Sequence, residues 1–460
     1  MAAAVVASGC AGASTSGGSS ESSSTKGAGP TTSSGSGTPA ITTGSSGGGG
    51  AGGAAGTSST TGTTSPPVLV VGTATAIATS TSTSVATQPT QQGGQLTAGV
   101  WDDNLNFSFY SSYLSTTAAT QLSGMPVIER SDRMVILVKS ADGQPVAGAQ
   151  VSVSDSAGHE WASLTGAEGR VLYFPGWASV VTGTPLTITA TVAGASVSQA
   201  AVATAGTVEL TLAESGLPMV GGLDLAFVID TTGSMGDELS YVQSELDHIV
   251  NGIAAQFPGI AQRWALVVYR DTGDEYVVRS FDFTSDLTSF RQHLAAQSAN
   301  GGNDYPEAVD QALAAATQLS WKAGATARVA FWIADAPHHV GREAALVSAL
   351  AAATAKGVHV YPVAASGIDD LGEFSMRTTA EVTGGRYLFL TNDSGIGGDH
   401  AEPHIPCYYV TTLESAMRRM VATELTGSYV APTTSEIIRT GGNPESQQCT
   451  LTGGALVTAW

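Results

Sequence analysis

The chain has 460 residues, enough for two or three domains of ordinary size. Its formal net charge of −20 argues against a nucleic-acid partner, because phosphate binding needs clustered Lys and Arg. No run of about 18 apolar residues occurs, so the sequence predicts no membrane-spanning helix, and any membrane contact would need an anchor.

The first feature along the chain is Cys10, which follows the small residues Val6-Ala7-Ser8-Gly9. This stretch resembles a bacterial lipobox, whose cysteine is lipidated and becomes the mature N-terminus. The resemblance implies an exported lipoprotein of the cell envelope or outer membrane, with residues 1–10 as the remnant of a signal. Ala7 stands where Leu is usual, and the basic and apolar regions of a signal peptide are missing, unless the true start lies upstream. A chance cysteine is the alternative.

Residues 11–94 consist mainly of Ser, Thr, Gly and Ala. Such a segment cannot bury enough apolar area to offset its ordering entropy, so we predict a disordered tether. Residues 95–125 are richer in aromatics, and we predict a short docking helix there, capped by Asp102 and Asp103, whose aromatics pack on a neighbouring domain.

Residues 126–217 contain short runs in which apolar and polar residues alternate, at 134–138, 149–153 and 186–191. A period of two with regular turns predicts an antiparallel β-sandwich. The stretch 142–151, followed by Ala167-Glu168-Gly169-Arg170, resembles carboxypeptidase regulatory-like and immunoglobulin-like modules, which implies a spacer. No His, Cys or paired carboxylates gather here, so we assign this module no chemistry.

Residues 218–432 change to alternating strands and helices, which predicts an α/β domain with a largely parallel sheet and helices on both faces. Predicted strands lie at 225–229, 264–269, 329–333 and 358–363, and predicted helices at 237–257, 306–319 and 343–355. Ligands of such folds bind where strands end.

Three oxygen-rich loops lie at predicted strand ends or helix starts of this domain. They are Asp230-Thr231-Thr232-Gly233-Ser234, the segment from Gly301 to Glu307, and Ala334-Asp335. Their order and placement resemble the metal-ion-dependent adhesion site of von Willebrand factor A domains, of the bacterial and hemicentin-like kind. The resemblance covers about 215 residues and implies a Rossmann-like fold and a protein-binding, adhesive function without catalysis.

The resemblance also implies a divalent cation, Mg²⁺ ahead of Ca²⁺ or Mn²⁺, since these ions take oxygen ligands. The implied ligands are Asp230, Thr232, Ser234, Asp304 and Asp335. Asp304 stands where the family has Thr; the additional carboxylate would tighten metal binding but reduce the positive charge that a partner meets. Glu307 is the alternative ligand, although three residues into the predicted helix it fits a role at the helix N-terminus better.

Further polar residues allow other interpretations. Asp271 and Asp274 would form a second cation site, or a surface turn in which Arg270 makes a buried salt bridge. His338, His339, His400 and His404 make a zinc-dependent hydrolase the second hypothesis, although no His-Glu-x-x-His helix is present. A structural envelope spacer with an inactive site is the third.

The remaining two cysteines, Cys407 and Cys449, are predicted to form a disulfide in an oxidising compartment, tying back a C-terminal extension at 433–460. Two free thiols are the alternative. The sequence identifies neither the protein partner nor the oligomeric state.

Overall fold

The structure is a computed structural model, and it describes residues 94–116 and 122–460. Cys10 and the predicted tether up to residue 93 lie outside the described residues. In the part of the chain that is described, no helix is long and apolar enough to cross a membrane.

The described chain starts with strand β1 (Thr97–Trp101) and helix α1 (Phe107–Leu114), and a β-sandwich follows. The sandwich strands are β2 (Met134–Lys139), β3 (Gln150–Asp155), β4 (Glu160–Leu164), β5 (Arg170–Tyr173), β6 (Pro185–Val192), β7 (Ala195–Val202) and β8 (Gly206–Thr211). One sheet has the order β5-β2-β8 and the other β4-β3-β6-β7. The predicted antiparallel sandwich is correct except for one pair, because β8 joins the sheet of β2 and runs parallel to it.

From residue 222 onwards strands and helices alternate. The strands are β9 (Gly222–Asp230), β10 (Ala261–Tyr269), β11 (Val278–Thr284), β12 (Thr326–Ala334), β13 (His359–Ala364), β14 (Tyr387–Leu390), β15 (Tyr408–Thr412), β16 (Arg439–Gly441), β17 (Gln448–Thr450) and β18 (Leu456–Thr458). The helices are α2 (Leu239–Gln256), α3 (Leu287–Ala295), α4 (Val309–Gln318), α5 (Glu343–Ala355), α6 (Asp370–Thr383) and α7 (Leu413–Thr426).

The main sheet has the strand order β11-β10-β9-β12-β13-β14-β1-β15-β16. Strands β10, β9, β12, β13 and β14 are parallel neighbours, and the outer pairings are antiparallel. Apolar side chains of α4, α5 and α6 pack on one face of this sheet, and those of α2, α3 and α7 pack on the other. Strand β9 is buried throughout, as expected of a strand covered on both faces. The predicted α/β class is confirmed.

The region 95–125 differs from the prediction of a docking helix, which is correct for α1 alone. Residues 97–101 form β1, which inserts between β14 and β15 and pairs antiparallel with both. Asp102 and Asp103 do not cap α1, whose N-cap is Asn106. They instead form buried ion pairs with Arg386 and Arg377, at 2.7 and 2.8 Å. The sandwich is therefore inserted between β1 and β9 of one α/β body, and does not simply precede it.

The aromatics of α1 pack on the α/β body, as predicted: Tyr110 and Tyr113 form a small apolar cluster with Phe374 of α6. At the other end of the chain, β16 joins the main sheet, while β17 and β18 form a hairpin. Cys407 and Cys449 form the predicted disulfide, with their Cα atoms 6.5 Å apart.

Candidate metal site

Two strands of the sheet centre bring the first and third predicted loops together. Strands β9 and β12 are parallel neighbours, with Ile229 paired to Ile333. The carboxyl ends of parallel strands meet at one edge of a sheet, where α/β folds bind their ligands. Asp230 ends β9 and Asp335 directly follows β12, so these two carboxylates lie side by side.

The first loop gathers the hydroxyls that the sequence predicts. Asp230 Oδ1 accepts a hydrogen bond from the Thr232 backbone amide at 2.9 Å and another from Thr232 Oγ1 at 2.7 Å. Thr232 Oγ1 and Ser234 Oγ are 3.2 Å apart. The Ser234 hydroxyl also lowers the pKa of Asp335, which places the first loop beside the third. Asp230, Thr232, Ser234 and Asp335 thus form one cluster of oxygens.

The second loop places Glu307 beside this cluster and leaves Asp304 exposed. Gly302 has a φ of +66°, and a Cβ built there would lie 2.6 Å from Glu307 Oε1 and 2.9 Å from Thr232 Cβ. Only glycine fits between the two side chains. Glu307 lies before α4, which starts at Val309, so it does not hold the predicted position within that helix. Ala308 and Val309, directly after Glu307, are buried as well, so this part of the loop faces inward in the structure.

Three carboxylate oxygens of this group are buried and have no hydrogen-bond partner: Asp230 Oδ2, Glu307 Oε2 and Asp335 Oδ1. Burial, and then the charge of Asp335, raise the pKa of Asp230 to about 7. Burial and Asp230 raise the pKa of Glu307 to about 9. Burial is also the largest cause that raises the pKa of Asp335 to about 6. Buried polar groups are normally satisfied, so these oxygens mark a place where a positive charge would be stabilised.

The chemistry of these donors fits a hard cation, because all of them are carboxylate or hydroxyl oxygens. Among residues 94–116 and 122–460, however, no three His, Cys, Asp or Glu side chains form a group that could hold a metal ion by themselves. A cation bound here would therefore need the hydroxyls of Thr232 and Ser234, together with water, to complete its shell.

The predicted second cluster, around Arg270, has partners within the protein. Arg270 Nε donates to the Thr231 carbonyl at 3.1 Å, and its Nη1 lies 3.5 Å from Glu275 Oε2. Asp274 Oδ2 accepts hydrogen bonds from the backbone amides of Gly302 and Asp271, at 2.9 and 3.0 Å. Asp271 Oδ1 lies 2.6 Å from His339 Nε2. These contacts favour the surface turn with a buried arginine over a second cation site.

The other three histidines of the zinc hypothesis also have separate partners. His338 Nε2 contacts the Gly124 carbonyl at 2.9 Å, His400 Nδ1 contacts Asn392 at 2.9 Å, and His404 Nδ1 contacts Glu373 at 3.0 Å. The structure does not bring the four imidazoles into one group, so the zinc hypothesis lacks a site among the described residues.

Comparison with known proteins adds a family assignment for the central part of the α/β body. Residues 224–383 match the family model of the von Willebrand factor A domain. The chain is 34% identical over 117 residues to an ariadne-like RING finger protein of Acanthamoeba polyphaga mimivirus, covering 25% of this chain and 11% of that protein. It is 26% identical over 118 residues to the alpha-protein kinase vwkA of Dictyostelium discoideum, covering 25% of this chain and 19% of that protein. The chain thus spans less than a fifth of either relative.

Two solved structures are similar to this chain, with low TM-scores. The conserved hypothetical protein BatB from Bacteroides thetaiotaomicron has a TM-score of 0.32 at 16% identity, covering 45% of this chain and 100% of that one. A von Willebrand factor type A protein from Catenulispora acidiphila has a TM-score of 0.31 at 15% identity, covering 68% of this chain and 52% of that one. Both likenesses are too distant to carry a functional argument. The family match and the observed sheet with helices on both faces identify residues 224–383 as a von Willebrand factor A domain.

Proposed function

We propose that this A domain is a protein-binding, adhesive module whose binding depends on a divalent cation at the carboxyl ends of β9 and β12. The observation that carries the proposal is the set of three buried carboxylate oxygens without partners, which lies beside the hydroxyls of Thr232 and Ser234. Two of these oxygens belong to Asp230 and Asp335. Mg²⁺ suits such a site, because it binds few carboxylates and keeps several waters; Ca²⁺ and Mn²⁺ use the same donors.

The residues of this site would have different roles in binding the cation. Asp230 Oδ1 already orients the Thr232 hydroxyl, and its Oδ2 remains free for the cation. Ser234 and Asp335 would also hold the cation, directly or through water. A bound cation supplies an electron-poor centre to which an oxygen of a protein partner can bind. The proposal includes no catalytic step.

We also propose that the A domain is displayed outside the cytoplasm, on the cell envelope or beyond it. The disulfide between Cys407 and Cys449 supports this, because disulfides persist in oxidising compartments. A lipid on Cys10 would supply the anchor, and the Ser- and Gly-rich residues after it would act as a tether.

The test compares the stability of the full chain in MgCl₂ with its stability in chelator, measured by thermal and by urea unfolding. We expect wild-type protein to gain stability with Mg²⁺, by about 2.7 kcal/mol at 100 times the dissociation constant. Asp230→Asn should lose this gain, since it removes the carboxylate that accepts from the amide and the hydroxyl of Thr232 and that carries a buried oxygen without a partner. Asp247→Asn is the matched control, because Asp247 is a partly exposed carboxylate on α2, away from the site, and is paired with Arg291.

A folded wild-type protein without any cation-dependent shift would refute the metal site and leave the spacer hypothesis in its place. Loss of the shift in His338→Ala, to the same extent as in Asp230→Asn, would favour the zinc hypothesis instead.

A further inference from the structure

Asn300 directly precedes the second loop of the site, which starts at Gly301. We propose that Asn300 is a site of spontaneous deamidation, and that this modification weakens cation binding by the adjacent first loop. The second half of the inference rests on the proposed function, whereas the first half concerns the chemistry of Asn300 alone. The chain contains one other Asn-Gly pair, Asn251-Gly252, which allows an internal comparison.

Deamidation of an asparagine needs only its own side chain, the next backbone amide and water. The amide nitrogen of the next residue loses its proton and bonds to the side-chain Cγ. The bond from Cγ to Nδ2 breaks, and ammonia leaves with that proton. Water then opens the resulting succinimide ring at one of its two carbonyls. One opening gives aspartate, and the other gives isoaspartate, in which the main chain runs through the side-chain carbon.

The side chain of Asn300 is folded onto the nitrogen that would attack it. Gly301 N donates a hydrogen bond to Asn300 Oδ1 at 2.9 Å, so this nitrogen lies next to the carbonyl group that contains Cγ. Asn300 is exposed, so water reaches it and ammonia can leave. No side chain of residue 301 hinders the approach, because glycine has no Cβ.

The structure also requires the glycine that makes Asn300 open to attack. Gly301 has a φ of +77°, and a Cβ built there would lie 2.4 Å from the carboxylate of Asp274. A bulkier residue, which would slow the attack, does not fit at this position. The conformation of the second loop and the reactivity of Asn300 therefore have the same cause.

The second Asn-Gly pair differs in local structure and not in exposure. Asn251 is exposed as well, but it lies within α2. Its Nδ2 donates to the Asp247 carbonyl at 2.7 Å, which directs the side chain toward the preceding turn. The amide of Gly252 lies inside the helix, where amides donate to the carbonyl four residues earlier. Attack at Asn251 therefore requires local unfolding of α2, whereas attack at Asn300 requires a rearrangement within one loop.

The peptide bond between Asn300 and Gly301 lies between two hydrogen bonds that join the second loop to the first. Asn300 N donates to the Thr231 carbonyl, and the Gly301 carbonyl accepts from Gly233 N, both at 3.0 Å. Gly233 lies between the two residues whose hydroxyls the proposed cation needs. Isoaspartate adds one carbon to the main chain between these two hydrogen bonds, so they cannot both keep their geometry. The modification therefore disturbs the loop that supplies the hydroxyls.

Deamidation also adds a negative charge, which by itself would favour a cation. Because Asn300 is exposed, solvent screens this charge and its contribution is small. Displaced ligands have the larger effect, since Mg²⁺ requires near-ideal geometry. We expect the isoaspartate form to bind Mg²⁺ about tenfold more weakly than the unmodified protein. Asn300→Asp, which adds the charge without the extra carbon, should change the affinity less than about threefold.

The first measurement is peptide mass spectrometry of the folded full chain after incubation in mildly alkaline buffer. We expect Asn300 to gain the mass difference between an amide and a carboxyl at least about tenfold faster than Asn251. A protein isoaspartate methyltransferase should methylate the product. Asn300→Gln, whose longer side chain does not form the same ring, should not be methylated at this position. Equal rates at the two asparagines, or an unchanged Asn300, would overturn the inference and leave the proposed function standing.

The second measurement is calorimetric titration of fresh and incubated protein with MgCl₂. Incubated wild type should lose affinity in proportion to its isoaspartate content, and incubated Asn300→Gln should not. If Asn300→Gln already binds more weakly when fresh, Asn300→Ser takes its place. Isoaspartate at residue 300 without a loss of affinity would overturn the second half of the inference. Absence of cation binding by fresh, folded wild-type protein would overturn the proposed function and that second half, but not the deamidation.

Discussion

Glu245 holds the start of β1, and its replacement by Ala tests how the chain enters the sheet. This side chain of α2 is fully buried. Its carboxylate accepts hydrogen bonds from the backbone amides of Gly94 at 2.7 Å, Gln95 at 2.6 Å and Leu96 at 2.7 Å. We expect Glu245→Ala to loosen β1 before the rest of the sheet.

The expected loss of stability follows from the hydrogen bond to the Glu245 carboxylate that each of the three amides loses. Hydrogen bonds to a charged group contribute roughly 1.5–3 kcal/mol each, and a buried donor left unpaired costs roughly 1–3 kcal/mol. The bond to Leu96 is buried, whereas those to Gly94 and Gln95 are partly buried, so these two amides can regain water. Burial raises the pKa of Glu245 in spite of its three donors, so desolvation offsets part of the gain. We expect a loss of about 3 kcal/mol in the free energy of unfolding.

Urea unfolding measures this loss, and amide hydrogen exchange across Thr97–Trp101 shows where it acts. Glu414→Ala is the control, because it removes a nearby carboxylate whose partners, His248 and Arg418, are both partly exposed to solvent. It should cost less than about 1 kcal/mol. A loss of that small size in Glu245→Ala, or unchanged exchange in β1, would refute the reasoning.

Three other outcomes are expected. A chain that starts at Gly94 should fold, whereas one that starts after Trp101 should not, because it lacks the interior strand that joins β14 to β15; circular dichroism and gel filtration distinguish the two. Cys407 and Cys449 should resist alkylation in the native exported protein until they are reduced, and labelling of both beforehand would contradict the disulfide. Burial raises the pKa of Glu381 to about 7, so the folded protein binds this proton more tightly than the unfolded chain. The free energy of unfolding should therefore fall as pH rises from about 4.5 to about 7, and Glu381→Gln should reduce that fall in urea titrations at several pH values.

The fold could be predicted wherever its signal is local. The alternation in β6 and the helical spacing of apolar residues in α2 are each visible within a short window, and both elements lie where they were expected. Strand β1 has only five residues, with Gly99 at its centre, and its conformation depends on pairing with β14 and β15. No window of the sequence contains those partners, so the stretch was assigned to a docking helix segment.

The same distinction applies to the candidate site. Asp230, Thr232, Ser234 and Asp335 lie within a few residues of strand ends, so a correct strand assignment brings them together. The second loop follows no strand directly, and its path depends on the positive φ of Gly301 and Gly302 and on the bridge between Glu307 and His338. These features exist only in three dimensions. The resemblance to the family therefore indicated Asp304, with Glu307 as the alternative, while the folded loop turns Glu307 inward.

The position of β1 also sets an order of events during synthesis. Thr97 and Thr391, whose hydroxyls lie 2.8 Å apart, are separated by 294 residues. All strands of the sandwich lie within residues 134–211, so the sandwich can close soon after that stretch is made. Strand β1 stays unpaired until β14 and β15 have been synthesised, because these are the strands with which it pairs. The α/β body consequently completes its sheet only after β15 and β16 have been made, by which time the sandwich can already have folded.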